Sequence, residues 1–349
     1  VSPDRISVSA VIPAFNEATR IGAAIESVLA QSLPAREIIV VDDGSTDDTA
    51  AIAGRYGVRV VRQSNAGISA ARNRAFAEAS GDWLALLDAD DLWLPDRLEW
   101  LGRATAAHPD IHFGFSDYTV DENGLPNAPS NLARTPQYCS ARGFVRDGAI
   151  YAIKREALCE SLAVGNFLGT STVFVRRAIV LEHDLRFDES LPLRTADYQL
   201  SEDVEWYLRV LKWTDALAIE RVLARYLRRP GSQAANHGQV RYGDFKLGER
   251  VVANSEAYGP GSAAAFRSMR RPHLIHAAWI HIRAGEFSFA RARLEQAQHD
   301  RFVAMDAFWL AVATIFDCAV GRSTILAMRS VWHRGLRPIV RSFTRPQRR

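Results

Sequence analysis

A chain of 349 residues, 48% of them hydrophobic and with a formal charge of only +3, is long enough to bury a substantial core in one large domain or two, which excludes an intrinsically disordered chain. Lysine occurs only at Lys154, Lys212 and Lys246, so nearly all the positive charge is guanidinium, the better fork for phosphate or carboxylate. A coding bias produces the same skew, so single arginines weigh by position, and no nucleic-acid partner is expected. The cysteines Cys139, Cys159 and Cys318 are far apart and lack a C-x-x-C spacing, which disfavours a disulfide framework or a zinc site and suits a reducing, cytoplasmic compartment.

Val1 to Ala10 shows no basic segment followed by a long apolar run, so no secretory signal is expected there. Ile6 to Pro13 reads as a strand, and Ile21, Ile25, Val28 and Leu29 give the helical spacing that follows it. Ile38 to Val41 is a short apolar run closed by Asp42-Asp43-Gly44-Ser45, as a strand buried on both faces would be. Thr46 to Tyr56 supplies a second helix, Val58 to Val61 a third strand, Gly67 to Ala79 a third helix and Trp83 to Leu87 a fourth strand. This alternation predicts a largely parallel sheet with helices on both faces, and such sheets bind ligands beyond the carboxyl ends of their strands.

From Pro109 to about Gly165 the pattern weakens to one strand at His112 to Phe115, a turn at Asp121 to Gly124 and a variable loop region. Strand signal returns at Thr172 to Val175, and a helix starts near Glu202 and runs through Leu211. Helical spacing of aromatics and alanines then dominates from about Phe245 to Met328. The expected division is a domain of residues 1–232, made of halves 1–108 and 109–232, followed by a helical region of 233–349. Ala307 to Phe316 falls well short of the roughly 20 residues that span a bilayer, so no transmembrane helix is expected.

Asp88-Ala89-Asp90 lies where the fourth strand ends. Alone, such a tripeptide reads as a solvated acidic turn; at the ligand edge of a parallel sheet it is instead a carboxylate pair for a divalent cation that keeps water and takes phosphate oxygens. Glu202-Asp203 is the candidate base for a hydroxyl nucleophile, against the local alternative of first-turn acids favoured by the helix dipole. Arg72, after Asn65-Ala66-Gly67, is either a phosphate contact or a surface arginine.

Val11-Ile12-Pro13-Ala14-Phe15-Asn16-Glu17, Val41 to Asp47, Asn65 to Asn73 and Leu87 to Asp91, in that order, resemble the signatures of family 2 glycosyltransferases. The resemblance covers Ile6 to about Leu101, returns at Ser171 to Arg177, Phe187 to Glu189 and Glu202 to Trp206, and fades after Ser232. It implies a GT-A fold followed by a C-terminal helical region, and an inverting, metal-dependent transfer from a nucleoside-diphosphate sugar, a UDP-sugar by preference. Pro13, Phe15, Glu17, Asp43 and Arg72 would bind the donor. Asp88 and Asp90 would hold Mn2+ or Mg2+ and the diphosphate, Asp90 more directly, and Asp203 would be the base.

Relatives place arginine and histidine in the loop after the base helix where this chain has Tyr226-Leu227-Arg228-Arg229-Pro230-Gly231-Ser232, so Arg228 or Arg229 is expected to close over the diphosphate. The Gln-x-x-Arg-Trp of processive members is not matched by Gln239-Val240-Arg241-Tyr242, which implies one sugar per encounter. The acceptor implied is a glycan or lipid-linked glycan of the cell envelope or an exopolysaccharide.

His273, His276 and His281 share a helix but lack further ligands at metal spacing, and Gly285, Ala290, Leu294 and Ala297 read as part of a helical hairpin. The tail from Arg329 to Arg349 has seven arginines, no acid and interspersed aromatics, which suits peripheral contact with the inner face of the cytoplasmic membrane or simple solvation. The rival readings are a non-catalytic module of the same fold that binds nucleotide and partner proteins, a nucleotidyltransferase, and a dinucleotide oxidoreductase. The last lacks its G-x-G-x-x-G in the first loop.

Overall fold

The computed structural model describes residues 6–122, 125–126, 130–141, 146–191, 201–228, 237–284 and 286–300. The chain begins β1 (Val8–Ala14), α1 (Ile21–Leu29), β2 (Glu37–Asp42), α2 (Thr49–Gly54), β3 (Arg59–Arg62), α3 (Ile68–Glu78) and β4 (Trp83–Leu86). β1 lies between β2 and β4, β3 lies outside β2, and all these pairings are parallel. Successive side chains of a strand point to opposite faces. Val11, Ile39, Val41, Leu84 and Leu86 accordingly meet Ala71, Ala75 and Phe76 of α3 on one face. Ala10, Ile12, Ile38, Val40 and Ala85 meet Ile21 and Ile25 of α1 and Ala53 of α2 on the other. Burial on both faces is why these strands read as unbroken apolar runs.

Pro13 stands in a central strand, where proline normally costs a ladder hydrogen bond. Here the cost is avoided. Val11 uses its carbonyl on the β4 side, accepting from the Leu87 N–H, and Ala14 uses its carbonyl on the β2 side, accepting from the Asp43 N–H. Pro13 therefore turns its missing donor toward β4, whose pairing with β1 has ended at Leu86.

The chain continues β5 (Leu92–Trp93), α4 (Arg97–Ala107), β6 (Phe113–Glu122), β7 (Leu125–Pro126), α5 (Pro136–Ala141), β8 (Arg146–Asp147), β9 (Ile150–Ile153), α6 (Arg155–Val164), β10 (Val173–Arg176), α7 (Arg177–Glu182), α8 (Glu202–Leu211) and β11 (Ala216–Arg228). The sheet order is β3-β2-β1-β4-β10-β6-β11-β9-β8. β10 is antiparallel to both neighbours, and β6 and β11 return to parallel pairing, so a parallel half is joined to a mixed one. The stretch from Pro109 to Gly165, expected as one short strand and loops, instead holds four sheet strands, β6 to β9, and the helices α5 and α6 among its described residues. Of the turn expected at Asp121 to Gly124, Asp121 and Glu122 belong to β6 and pair with Pro126 and Leu125 of β7, and residues 123–124 lie outside the described residues.

The helical part comprises α9 (His237–Ala253), α10 (Ser255–Tyr258), α11 (Pro260–Ala284) and α12 (Phe287–Asp300). The chain divides into two compact units, residues 1–236 with 243–270, and residues 237–242 with 271–349. The first unit thus takes in helical residues beyond Ser232. Tyr258 donates to Oε1 of buried Glu205 on α8 at 2.7 Å, Arg250 Nε donates to the Tyr258 hydroxyl at 3.0 Å, and Arg250 also pairs with Asp188. In the second unit Ala278, Ala290 and Leu294 pack with Ile275, Trp279 and Ile282, and His281 Nδ1 lies 2.6 Å from Glu286 Oε2. Among the described residues no helix is long and apolar enough to cross a membrane. The tail from Arg329 and the Ala307 to Phe316 segment lie outside the described residues.

Gly114 of β6 marks where the two halves are pressed together, since a Cβ there would run into the Phe174 ring of β10 and stand 3.0 Å from Leu217 Cβ of β11. Gly114→Ala should destabilise the fold by about 1–3 kcal/mol through overpacking, and Phe174→Leu should recover part of that loss. Urea unfolding of the single and double variants measures both, and strictly additive effects would show that the two residues do not collide.

Candidate active site

The β4 strand delivers Asp88, Asp90 and Asp91 past its carboxyl end. Asp88 and Asp90 are half-buried, whereas Asp91 is 2% exposed. Ser171 organises this turn: its Oγ accepts the Asp88 N–H at 3.0 Å and donates to Asp91 Oδ2 at 2.5 Å, and its carbonyl accepts from Trp93 Nε1 at 2.8 Å. Asp91 Oδ1 accepts the Leu227 N–H at 3.1 Å, which ties the turn to β11. Burial, with Asp88 and Asp90 nearby, pushes the Asp91 carboxyl well above the usual carboxylate range. Asp91 is a structural acid.

Arg72 is brought to the same place by α3, but it is 1% exposed. Its Nη2 donates to Asp88 Oδ1 at 3.1 Å and its Nη1 to Glu202 Oε1 at 2.8 Å, while its guanidinium lies 5.0 Å from the centre of the Phe187 ring. The guanidinium fork is therefore spent on two protein carboxylates, one on the metal-type turn and one on the first turn of α8. Asn73, beside it, fixes the 187–189 segment by donating to the Phe187 carbonyl at 2.9 Å and accepting its N–H at 2.8 Å. Phe187 stacks on Trp206 of α8, centroids 4.6 Å apart. Polar and aromatic contacts together hold α8 against α3.

Asp203 sits on that first turn of α8. Its Oδ2 accepts from Asn166 Nδ2 at 3.1 Å and from Thr170 Oγ1 at 3.3 Å, and its Oδ1 accepts the Val204 N–H at 2.8 Å. Burial above all, then the neighbouring Glu202, push its carboxyl up to about 7; Arg72 and the Val204 N–H pull the other way, and Asp88 adds to the rise. A carboxylate that titrates near neutral pH is matched to taking a proton from a hydroxyl.

A second group forms where β1 and β2 end. Asp43, 3% exposed, accepts from Gln63 Nε2 at 2.8 Å, the Ala66 N–H at 2.9 Å and the Gly67 N–H at 2.8 Å, so it grips the loop that leads into α3. Gly67 has φ +93, and Gly44 has φ +76 with room for a Cβ closed by Asn65 N at 2.7 Å, which explains both glycines. Asn16, at φ 53, accepts the Thr46 N–H at 2.9 Å and donates its own N–H to Ser45 Oγ at 2.9 Å. Between these loops Phe15 is left 44% exposed, an aromatic face open at the ligand edge. Glu17 Oε2 pairs with Arg20 at 2.6 Å. Pro13 is buried beneath them.

Asp88, Arg72 and Asp203 thus meet in one cluster, and Phe15, Glu17 and Asp43 belong to the neighbouring strand ends. Arg229 lies outside the described residues. Asn166, Thr170 and Ser171 were not singled out as site residues from the sequence, although a run of Gly165-Asn166 and Gly169-Thr170-Ser171 is a polar break between apolar segments. No group of three or more metal-type ligands occurs among the described residues. What is present, two half-buried carboxylates beside further acids that share Arg72, fits a hard divalent cation that takes its remaining oxygens from water or diphosphate.

Residues 9–159 match the family described as Glycosyl transferase family 2. Over those residues the chain resembles a family 2 glycosyltransferase. Among curated proteins it is 32% identical over 213 residues to the succinoglycan biosynthesis protein ExoU of Rhizobium meliloti, covering 58% of this chain and 56% of that one. It is 42% identical over 142 residues to the putative teichuronic acid biosynthesis glycosyltransferase TuaG of Bacillus subtilis, covering 36% and 54%. The chain thus spans about half the length of the curated relatives it matches. The S. aureus TarS structure in complex with UDP-GlcNAc superposes with a TM-score of 0.57 at 17% identity, over 88% of this chain and 79% of that one. The Pyrobaculum calidifontis mannosyltransferase PcManGT, in complex with GDP-Man and Mn2+, gives 0.54 at 15% identity, over 93% and 84%. The fold is GT-A.

If the Arg72 bridge holds this domain together, Arg72→Leu should cost about 3–5 kcal/mol of stability, because two carboxylates lose a buried partner. Arg72→Lys should fall between, since one ammonium cannot serve both as a fork does. Urea midpoints report this directly; a leucine variant as stable as the parent would rule out the bridge in solution.

Proposed function

We propose that the protein is an inverting, metal-dependent glycosyltransferase that moves one sugar from a nucleoside diphosphate, UDP by preference, to a hydroxyl of a cell-envelope or exopolysaccharide glycan, free or lipid-linked. The observation that carries this reading is the raised carboxyl of Asp203 held beside the Arg72-linked Asp88 turn. Relatives named for succinoglycan and teichuronic acid biosynthesis support the substrate class, and neighbours of the same fold in complex with UDP-GlcNAc or with GDP-Man and Mn2+ support the donor class and the cation.

In this mechanism Phe15 offers its exposed ring to the nucleobase, Pro13 and Asp43 shape the pocket floor and Glu17 borders the ribose. Asp90 and Asp88 hold Mn2+ or Mg2+, which when bound neutralises charge on the diphosphate. Arg72 acts on the donor through Asp88, and Arg229 closes over the diphosphate. Asp203 takes the proton of the acceptor hydroxyl as its oxygen bonds to the sugar C1. The C1–O bond to the diphosphate breaks, and its electron pair leaves with the nucleotide. Attack opposite the leaving group inverts C1.

Calorimetric titration of UDP, GDP and their sugar conjugates, with and without Mn2+, tests the donor site. Binding should require the cation, weaken in Asp90→Ala and in Arg229→Ala, and be unchanged in Asp203→Asn, whose transfer rate should fall by roughly 10²–10⁴-fold. Because the base must be unprotonated, the rate should rise with pH through about 7 in the parent. A folded protein that binds no nucleotide would instead favour the partner-binding module. The arginine-rich tail would bring the enzyme to an anionic membrane face. In sedimentation with anionic vesicles the full chain should pellet and a chain ending at Met328 should not; equal pelleting removes the membrane role of the tail.

A further inference from the structure

The segment between α6 and β10 places two consecutive hydroxyls on opposite tasks: Thr170 bonds Asp203, and Ser171 bonds the Asp88 and Asp91 turn. Asn166 is fixed as well, its Oδ1 accepting the Leu168 N–H at 2.9 Å while its Nδ2 donates to Asp203. An ionised carboxylate oxygen has two lone-pair sites. Asp203 Oδ2 has both filled, by Asn166 and Thr170, whereas Oδ1 has one filled, by the Val204 N–H.

We infer that Asn166 and Thr170 are positioning residues that saturate Oδ2 of Asp203, so that Oδ1 is the oxygen that receives the acceptor proton and the acceptor hydroxyl approaches along the Val204 side of the first turn of α8. The inference rests on the reading of Asp203 as the base. Both donors stabilise the charged form of the carboxylate and so oppose the burial that raises it. The other charged or titratable groups facing Asp203 are Glu202 on its own helix, Arg72 of α3, Asp88 after β4, Tyr207 one turn along α8 and Tyr118 of β6. None of these donates to Oδ2 among the described hydrogen bonds. Asn166 is exposed and Thr170 half-buried, so both can be changed without opening the core.

The test needs no substrate. Carboxyl carbons of aspartate are labelled with carbon-13 in the full chain, and the Asp203 signal is identified as the one lost in Asp203→Asn. In the parent it should titrate near pH 7. Asn166→Ala and Thr170→Val should each move the midpoint up by about one unit, the size of one lost charge-assisted hydrogen bond. Asn166→Asp, which keeps the shape and adds a like charge, should move it further, and Thr170→Ser should restore the parent value. Thermal unfolding of each variant and its UDP affinity with Mn2+ serve as controls and should be unchanged. A midpoint that stays in place in folded Asn166→Ala and Thr170→Val overturns the inference, as does a Thr170→Ser midpoint that follows Thr170→Val. Loss of UDP binding in the parent would instead count against the donor-site reading and leave the titration result standing on its own.

Discussion

The arrangement depends on one buried guanidinium. Arg72 leaves α3 at 1% exposure and ends between Asp88, which β4 supplies, and Glu202, which opens α8. These three elements are separated by up to 130 residues in sequence. A buried arginine is costly unless its donors are met, and two carboxylates meet its two Nη groups, leaving only the buried Nε without a hydrogen-bond partner. The same pairing draws a metal-type turn and a candidate base toward each other, so the stability of the pair and the geometry of the site are one constraint. Without that guanidinium Glu202 and Asp203 would stand adjacent, half-buried and mutually repelling.

That constraint also explains why the Asp203 carboxyl is raised only to about 7. Burial and Glu202 favour the protonated form; Arg72, two side-chain donors and a backbone N–H favour the charged one. The balance falls near neutrality. Were Arg72 paired only with Asp88, the Glu202 charge would act on Asp203 unopposed, and the carboxyl would stay protonated further into the alkaline range.

The first hundred residues were legible because a parallel strand buried on both faces leaves a continuous apolar run and its ligand loops fall at predictable ends. β1, α1, β2 and β4 lie where the sequence places them to within two residues. The second half hid its strands for specific reasons. β11 carries Glu220, Arg221 and Arg225, and its register slips between Ile219 and Ala224, which destroys the period-two signal. β6 buries Asp117 and Asp121, polar side chains that satisfy the Ser130 to Leu132 segment and Arg225 and not the core. Asp88, Asp90 and Asp203 were readable as motif residues. Asn166 and Thr170 were not, because an amide and a hydroxyl in a loop acquire a role only from a partner 37 and 33 residues away.

The helical extension belongs to this argument through Glu205. Tyr258 and Arg209 both bond its buried carboxylate, and Arg250 links Tyr258 to Asp188 in the segment that Asn73 holds. Residues two apart on a helix point to nearly opposite sides. A grip on Glu205 therefore holds α8 from behind while Asp203 faces the Asp88 turn, and a helix fixed at both faces of its first turn cannot rotate Asp203 away from its partners. Residues 243–258 thus complete the support of α8 and join the same compact unit as the sheet, and a domain cut where the sequence resemblance fades would leave the Glu205 carboxylate buried without its tyrosine.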